Sequence, residues 1–425
     1  MKSFILLFAA VFALAAKPSD TVRFSKSEVT EIEASFFADI DDGTLSKYTL
    51  YDAFLIASEI CDTSIFPGYQ KKLMDIRAKA IQELGPSRGE DPYVLGKKLL
   101  FWMHDNVLKK YQATATVAYT IIDSGEYNCL SASILYGLLA TDLGLTVVGV
   151  MVPDHAFCML KDTRGDKDIE TTARYGFDPG TKEIEQLKNE TRYIYVPKNS
   201  YASRDIVSIQ QLIAALYGNR ISLLQRSTSA YDKDLPKYKK GYYLDPQSKL
   251  FSENIIGCYN NLALFAIQKN EFDDALSYIK QGKAFAPANP SFKDLAIQRY
   301  DAMAKIAAKT NDYKTAIELL RPARTEYPEE SLPRQNTAYY YTTWGRTYFI
   351  TKDYKKAVVI FEAGFKDVAD PVLVKNLRAS YYNLAVEAYN KGRFDEAIRY
   401  CDAGLSYVPS DAELLKLKQY AKQKR

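Results

Sequence analysis

The stretch FDEAIRYCDAGLSYVP, residues 394–409, decides the fold of the second half of the chain, because its pattern recurs three times upstream. Each copy has an aromatic residue followed three positions later by alanine. The pairs are Phe272/Ala275, Tyr313/Ala316, Tyr354/Ala357 and Phe394/Ala397. The alanines are therefore 41, 41 and 40 residues apart. A fixed period of this length indicates a repeat architecture, in which each unit packs on the next.

A second helical pattern precedes each of these alanines. Its members are Tyr259-Leu262-Ala263, Tyr300-Met303-Ala304, Tyr341-Trp344-Gly345 and Tyr381-Leu384-Ala385. Proline lies twelve positions after Ala275, Ala316 and Ala397, whereas Ala369 occupies that position in the third copy. This arrangement resembles the tetratricopeptide repeat, which implies an all-α solenoid of helix pairs A and B. The expected cores are 256–289, 297–330, 338–371 and 378–411. The six or seven residues between cores are expected to lengthen helix B or the turn.

The resemblance also implies that a partner protein or peptide binds in a concave groove lined by the A helices. The candidate partner-binding residues are Asn260, Tyr339, Arg346 and Tyr382. The alternative is that they are ordinary solvated or packing positions. Residues 412–425 have an amphipathic pattern typical of a capping helix at the end of a solenoid, with a membrane-surface helix as the alternative.

The first half contains a second informative stretch, GEYNCLSASILYGLLATDLGL, at residues 125–145. Asn128 is a good N-cap, apolar residues follow with helical period, and Gly144 is a natural stop. The pattern places Cys129 at the first position of a buried helix. Backbone N–H groups and the positive end of the helix dipole would there favour a thiolate.

After Gly144 the pattern changes to TVVGVMVPDHAFCMLKD, then a turn at 164–166, then KDIETT. This predicts strands joined by hairpins. Alternation places Phe157 on the same face as His155 and turns Cys158 towards the core. Asp168 and Glu170 share a face. A helix followed by an antiparallel hairpin can bring a cysteine, a histidine and an acid together when they follow in this order.

Asn128-Cys129-Leu130-Ser131, His155-Ala156-Phe157 and Glu170-Thr171-Thr172 resemble the core motif of the transglutaminase-like (papain-like) superfamily. The resemblance covers residues 110–180 and implies an α+β domain with a helical lead-in, a nucleophile helix and an antiparallel sheet. It implies that Cys129 is the nucleophile, His155 the general base and acid, and Glu170 the residue that orients the imidazole. The family usually has Asp at the third position, so Asp168 is the fallback acid.

Such chemistry needs an oxyanion hole. The backbone N–H of Cys129 is one expected donor, and Tyr111 or Gln112 is the candidate for the second, since spacing does not choose between them. The other histidine, His104, is expected to be structural. We predict a transglutaminase-like domain at 17–225, a linker at 226–250 and a repeat domain at 251–425.

Residues 1–16 resemble a signal peptide, with Lys2 ahead of an apolar run that is too short to span a bilayer. We expect export to the periplasm or the medium, and no transmembrane segment. The net charge of +4 is small and dispersed, which argues against a nucleic-acid partner. The five cysteines contain no CxxC pair, so neither a metal site nor a cofactor is predicted. Four of them, all but Cys129, are expected to be buried packing residues.

Two functions are consistent with these features. The first is an exported cysteine-dependent amide or peptide hydrolase, or an acyl transferase, whose substrate or partner is docked by the repeats. The alternative is a non-catalytic envelope scaffold, in which the transglutaminase-like domain is degenerate and the repeats carry the function.

Overall fold

The computed structural model describes residues 22–42, 45–85, 89–153, 155–179, 203–223 and 230–425. The predicted signal peptide at 1–16 lies outside this part of the chain. The chain divides into two compact units, Met1–Cys258 and Tyr259–Arg425. The first unit combines helices with a small sheet, and the second is entirely helical in its described residues.

Within its described residues, the first unit has four helices ahead of the first strand. They are α1 (Glu31–Asp41), α2 (Leu50–Ala57), α3 (Phe66–Leu84) and α4 (Pro92–Asn106). There follow β1 (Lys110–Tyr111), α5 (Ala118–Ser124), β2 (Glu126–Tyr127), α6 (Cys129–Asp142), β3 (Val147–Val152), β4 (His155–Leu160), β5 (Lys167–Ile169), β6 (Asp205–Val207), α7 (Ile209–Leu223) and α8 (Tyr231–Leu244). The helical lead-in and the strand-rich middle agree with the sequence pattern.

The main sheet has four strands in the order β5-β4-β3-β6, and every neighbouring pair is antiparallel. The β3–β4 hairpin pairs Val152 with His155 and Val147 with Leu160, so His155 begins its strand directly after the turn. The two short strands β1 and β2 form a separate parallel pair, with Tyr111 opposite Tyr127. The predicted antiparallel hairpins are therefore confirmed.

Helix α6 is the buried centre of the first unit. Asn128 caps its N-terminus, and the chain leaves its C-terminus through Gly144, whose φ of +79° is a left-handed conformation that glycine adopts without strain. Every residue from Leu130 to Ala140 is buried. The thiol of Cys158 on β4 donates to the Ser133 carbonyl at 3.2 Å, which confirms Cys158 as a core residue between the strand and the helix.

The predicted linker at 226–250 is wrong for the residues that form α8. This helix packs into the first unit: Lys239 is buried and forms an ion pair with Glu28 at 2.9 Å, and the ring of Tyr243 packs on Phe37 with centroids 4.7 Å apart. The lysines, tyrosines and prolines of the stretch suggested exposed chain. Its partners, however, lie more than 200 positions away and could not be recognised from local composition.

The second unit is a run of helix pairs. The A helices are α9 (Lys249–Lys269, which begins in the first unit), α11 (Ser291–Lys309), α13 (Ser331–Ile350) and α15 (Pro371–Asn390). The B helices are α10 (Phe272–Phe285), α12 (Tyr313–Glu326), α14 (Tyr354–Val368) and α16 (Phe394–Tyr407), and α17 (Ala412–Lys424) follows them. The A helices have 19–21 residues and the B helices 14 or 15. The extra residues therefore lengthen helix A, not helix B or the turn as predicted, because α11, α13 and α15 start ahead of the expected cores.

Small residues bring the helices of each pair together. The alanines that define the period are fully buried: Ala275, Ala316, Ala357 and Ala397. In the third pair Gly345 takes the place of the A-helix alanine, and the ring of Phe361 fills the space that a side chain would need. A Cβ atom at Gly345 would lie 2.2 Å from the Phe361 ring.

Replacing Gly345 with alanine is expected to lower the free energy of unfolding by about 1–2 kcal/mol. Overpacking against the fully buried Phe361 outweighs the higher helix propensity of alanine. Gly257 in α9 is the matched control, because nothing lies within 4 Å of its Cβ position. At Gly257 the same substitution is expected to raise the free energy of unfolding by up to about 1 kcal/mol. Urea unfolding of both variants measures the difference, and equal effects would contradict the packing role of Gly345.

The structure shows no disulfide bond between any of the five cysteines, all of which lie in its described residues. Cys158, Cys258 and Cys401 are buried as predicted, whereas Cys61 and Cys129 are partly exposed. Among the described residues, no helix is both long and apolar enough to cross a bilayer.

Candidate functional site

Cys129 is the first residue of α6, and its surroundings hold the helix start in place. The Asn128 side chain accepts from the backbone N–H groups of Leu130 and Ser131, both at 3.0 Å, and the Ser131 hydroxyl accepts from the Asn128 N–H. Asn128 and Ser131 also donate to the carbonyls of Ala113 and Ala115. These bonds tie the segment after β1 to the helix start, so the thiol sits on a rigid support.

His155 and Glu170 form a buried pair next to Cys129. The imidazole Nε2 donates to Glu170 Oε2 at 2.7 Å, and the two side chains are only 2% and 1% exposed. The Cys129 thiol lies close enough to His155 to raise the pKa of the imidazole. Because Nε2 faces Glu170, Nδ1 is the ring nitrogen left to face the thiol. The structure thus brings the three predicted residues into one chain of contacts.

The environment of His155 favours its charged form. Burial by itself would lower the pKa of His155, but the Glu170 carboxylate and hydrogen bonds with Cys129 and Glu170 outweigh it and raise the pKa to about 9. The arrangement therefore places the Cys129 thiol, at a helix N-terminus, beside a group that can give up and take back a proton.

Residues that the sequence reasoning missed hold Glu170 in position. Its second oxygen, Oε1, accepts from the Thr172 N–H at 3.1 Å and from the Thr172 hydroxyl at 2.5 Å. The Thr171 hydroxyl bonds to Ser133 of α6, and the Tyr127 hydroxyl donates to the Thr172 carbonyl. The two threonines belong to the motif that suggested the site. Their role could not be read from it, because it depends on how the loop after β5 folds back.

Asp168, the fallback acid, is not part of this chain of contacts. Asp168 lies in β5, and its carboxylate accepts a hydrogen bond from Arg204 at 2.7 Å. The Arg204 guanidinium in turn lies 4.9 Å from the ring centroid of Phe157. Phe157 in turn stacks on His155 with centroids 5.8 Å apart. Asp168 and Arg204 therefore support the aromatic ring that flanks the imidazole, and Glu170 is the acid in contact with His155.

Of the two candidates for the second oxyanion donor, Tyr111 is the one whose hydroxyl is influenced by the Cys129 thiol. Burial, together with the charges of Cys129 and Glu170, raises the pKa of Tyr111 to about 12, so its hydroxyl keeps its proton. Its ring packs edge-on against Tyr127, and no hydrogen bond to its hydroxyl is found within the described residues. The Gln112 side chain is exposed, and the Gln112 backbone N–H is taken by the Tyr127 carbonyl at 2.8 Å.

His104 has the structural role predicted for it. Its Nε2 lies 3.1 Å from the Thr171 carbonyl and its ring packs edge-on against Tyr127, so it supports the loop that carries Glu170. Burial lowers the pKa of His104 to about 4, and the imidazole is therefore neutral and donates to Thr171.

The low pKa of His104 predicts an acid-dependent loss of stability. The unfolded chain takes up a proton near pH 6.5, whereas the folded chain does so only near pH 4. The stabilisation is therefore complete above pH 6.5 and is lost as the pH falls towards 4, by about 2–3 kcal/mol. His104→Gln keeps a donor for the Thr171 carbonyl but does not titrate. Chemical denaturation at pH 7 and 4.5 should give a smaller difference for this variant than for the wild type; an unchanged difference would contradict this assignment.

No group of three or more histidine, cysteine or acidic side chains that could hold a metal ion is found in the described part of the chain. The candidate site consists of a thiol, an imidazole and a carboxylate, which are the groups that nucleophilic acyl chemistry uses.

The candidate partner-binding residues differ in how free they are to bind. Tyr339 on α13 is 62% exposed, and Arg346, further along the same helix, is also exposed. Asn260 instead accepts a hydrogen bond from the Ser291 hydroxyl at 2.9 Å. The ring of Tyr382 lies under the guanidinium of Arg378, at 5.3 Å. Helix α13 therefore offers the most accessible part of the predicted groove.

Comparison with known proteins identifies the repeat. The tetratricopeptide-repeat family model matches residues 379–411, which are the C-terminal part of α15, helix α16 and the turns that flank α16. Residues 379–411 are a tetratricopeptide repeat. Tetratricopeptide repeats bind proteins and peptides on the extended surfaces that stacked helix pairs create. The match lies within the fourth predicted core, 378–411, and the three preceding helix pairs have the same order of a long helix followed by a shorter one.

Solved structures give weaker similarities. A thermophilic TPR protein of Thermus thermophilus is 18% identical, covers 50% of this chain and 99% of its own, and has a TM-score of 0.15. YrrB, described as a TPR protein with an unusual peptide-binding site, is 16% identical over 50% of this chain and 91% of its own, with a TM-score of 0.15. The Cut9–Hcn1 hetero-tetramer of the APC/C is 15% identical, covers 50% of this chain and 42% of its own, and has a TM-score of 0.16. Such low scores establish neither a shared overall shape nor a shared ligand. A search of curated proteins gave no match.

Proposed function

We propose that this protein is an interaction protein whose repeat array docks a peptide or protein, and that its first unit carries a thiol centre for acyl transfer to water or an amine. The interaction role is supported by the tetratricopeptide repeat at 379–411. The catalytic role is supported by one observation above all, the contact of Cys129 with a buried His155–Glu170 pair.

In the proposed reaction His155 gives up a proton in the first step and takes one in the second. The Cys129 thiolate attacks an amide carbonyl, and the oxyanion is stabilised by the Cys129 N–H and the Tyr111 hydroxyl. The His155 imidazolium gives its proton to the leaving amine, and the C–N bond breaks to leave a thioester. Water or a second amine, deprotonated by His155 through Nδ1, attacks the thioester and regenerates the thiol. Glu170 holds the proton on Nε2 throughout.

A transglutaminase-like fold for the first unit is part of this proposal. It is supported by the order of the elements: a cysteine at the start of a buried helix, a histidine at the start of the second strand of an antiparallel sheet, and an acid directly after the third. Export is proposed from the apolar run near the N-terminus alone. N-terminal sequencing of the protein recovered from its native cell fraction would test it.

The rival function is a non-catalytic scaffold, which the repeat match favours over an enzyme. The two are separated by the reactivity of Cys129 in the native protein at neutral pH. An enzyme requires that iodoacetamide modify Cys129 much faster than Cys61, the other partly exposed thiol. If Cys129 is no more reactive than Cys61, the scaffold is the correct function.

The docking role is tested on the whole protein with a peptide array. A double variant, Tyr339→Ala with Arg346→Ala, removes the two most accessible groove residues and is expected to weaken binding of the selected peptides at least about tenfold. Tyr420→Ala with Arg399→Ala removes an exposed tyrosine and arginine elsewhere in the second unit and should leave binding unchanged. Equal binding by both variants would place the docking surface outside α13.

A further inference from the structure

A cavity lies between two successive inter-repeat turns of the second unit, away from the exposed α13 residues Tyr339 and Arg346. It has a volume of about 260 Å³. The turn between α12 and α13 has four residues, 327–330, whereas the turn between α14 and α15 has two, 369–370. Ala369 makes the shorter turn possible by adopting a left-handed φ of 49° in place of the proline found in the other copies. The cavity is lined by the longer turn and by the end of α14, directly before the shorter turn.

Two arginines line this cavity. The Arg324 guanidinium forms a two-pronged ion pair with Asp367, at 2.9 and 3.0 Å, and its Nε is buried with no hydrogen-bond partner in the described structure. Arg334 donates through Nε to the Val368 carbonyl at 2.9 Å. Within the described residues its two terminal nitrogens have no protein acceptor. Their four N–H groups remain available on an exposed side chain.

The charges around the cavity favour a singly charged, planar anion. The carboxylates of Asp367 and Glu330 are each already paired, with Arg324 and with Lys293 at 2.5 Å. Arg334 is the lining cation that has no counter-ion among the described residues. An arginine fork matches a carboxylate in shape and binds it through two parallel hydrogen bonds. A phosphate dianion is disfavoured by the two acidic side chains that also line the space. The volume lies below the 300–1,000 Å³ of drug-sized ligand pockets, so the bound group is small.

We propose that this cavity is a binding site for a carboxylate group, held by the terminal nitrogens of Arg334 with the Arg324 side chain beside it. The carboxylate belongs either to a small free acid or to the C-terminus of a peptide, since both present the same group. The site is independent of the thiol centre and is distinct from the α13 surface around Tyr339 and Arg346.

The test is calorimetric titration of the full chain with four probes. They are acetate, the peptide acetyl-Ala-Ala-Ala with a free carboxylate, the same peptide as its amide, and inorganic phosphate. Arg334→Gln removes the fork, and Arg334→Lys keeps the charge without it, so the test survives if one variant folds poorly. Each is expected to raise the Kd of the bound carboxylate at least about tenfold. Arg399→Gln, which removes an exposed arginine from α16, is the matched control and should bind as the wild type does.

Binding of the acid peptide but not its amide supports a peptide C-terminus as the source. Binding of acetate alone supports a small acid. The proposal is overturned if none of the carboxylates binds, if Arg334→Gln and Arg334→Lys bind as tightly as the wild type, or if phosphate binds as tightly as the carboxylates.

Discussion

Cys129→Ala is expected to abolish thiol-dependent turnover and to remove the fast-reacting thiol of the native protein. No other described group near His155 can act as the nucleophile, since Cys158 is fully buried in the core and faces Ser133. Turnover should fall by at least about 10³-fold, to the level that positioning alone provides. The measurement is amide hydrolysis or transfer on a peptide library, combined with mass-spectrometric location of the labelled cysteine.

The substitution should leave the fold intact. Cys129 is only partly buried at the first helical position, and the cap is made by Asn128 and Ser131. The free energy of unfolding should change by less than about 1 kcal/mol. Cys61→Ala, at the other partly exposed thiol, is the matched control and should retain turnover and the labelling of Cys129. Turnover that persists in Cys129→Ala would show that the activity belongs elsewhere.

Glu170→Gln is expected to lower turnover by about 10²–10⁴-fold, although it changes one atom. Thr172 donates to Oε1 through both its N–H and its hydroxyl, so the amide oxygen of glutamine must occupy that place. The amide nitrogen then faces His155 and donates to Nε2. The imidazole proton is forced onto Nδ1, the nitrogen that must accept a proton from the thiol. Asp168→Asn is the control. Because Asp168 contacts Arg204, this substitution should lower turnover only a few-fold.

The same variant should change how stability depends on pH. The folded pKa of His155 is raised to about 9 and the unfolded value is 6.5, so the charged pair stabilises fully below pH 6.5. That stabilisation is lost as the pH rises through about 9. Glu170→Gln removes the carboxylate and should flatten the unfolding free energy over this interval. A wild-type dependence that persists in the variant would mean that another group sets the pKa of His155.

Glu170→Asp is also expected to lower turnover, because a shorter side chain cannot reach Thr172 and His155 at the same time.

The repeat array could be predicted from sequence because its interactions are local and periodic. Helix pairs contact mainly their neighbours, so each copy repeats the same small and aromatic residues at the same places. The fourth core, 378–411, accordingly coincides with the matched repeat at 379–411. The same periodicity could not show which helix carries the extra residues. That depends on where α11, α13 and α15 begin, and their first turns precede the residues that carry the period.

The start of α6 and the β3–β4 hairpin were also determined by local sequence: a cap at Asn128, an apolar period, a left-handed glycine at Gly144 and strand alternation around His155. Only the tertiary structure decided which acid meets the histidine. Asp168 lies in β5 and Glu170 directly after it, and the choice between them depends on Arg204 and Thr172. Only folding reveals α8 inside the predicted linker and the cavity between unequal turns. Alternation and helical period record which way a side chain points, whereas these outcomes depend on which distant groups it meets.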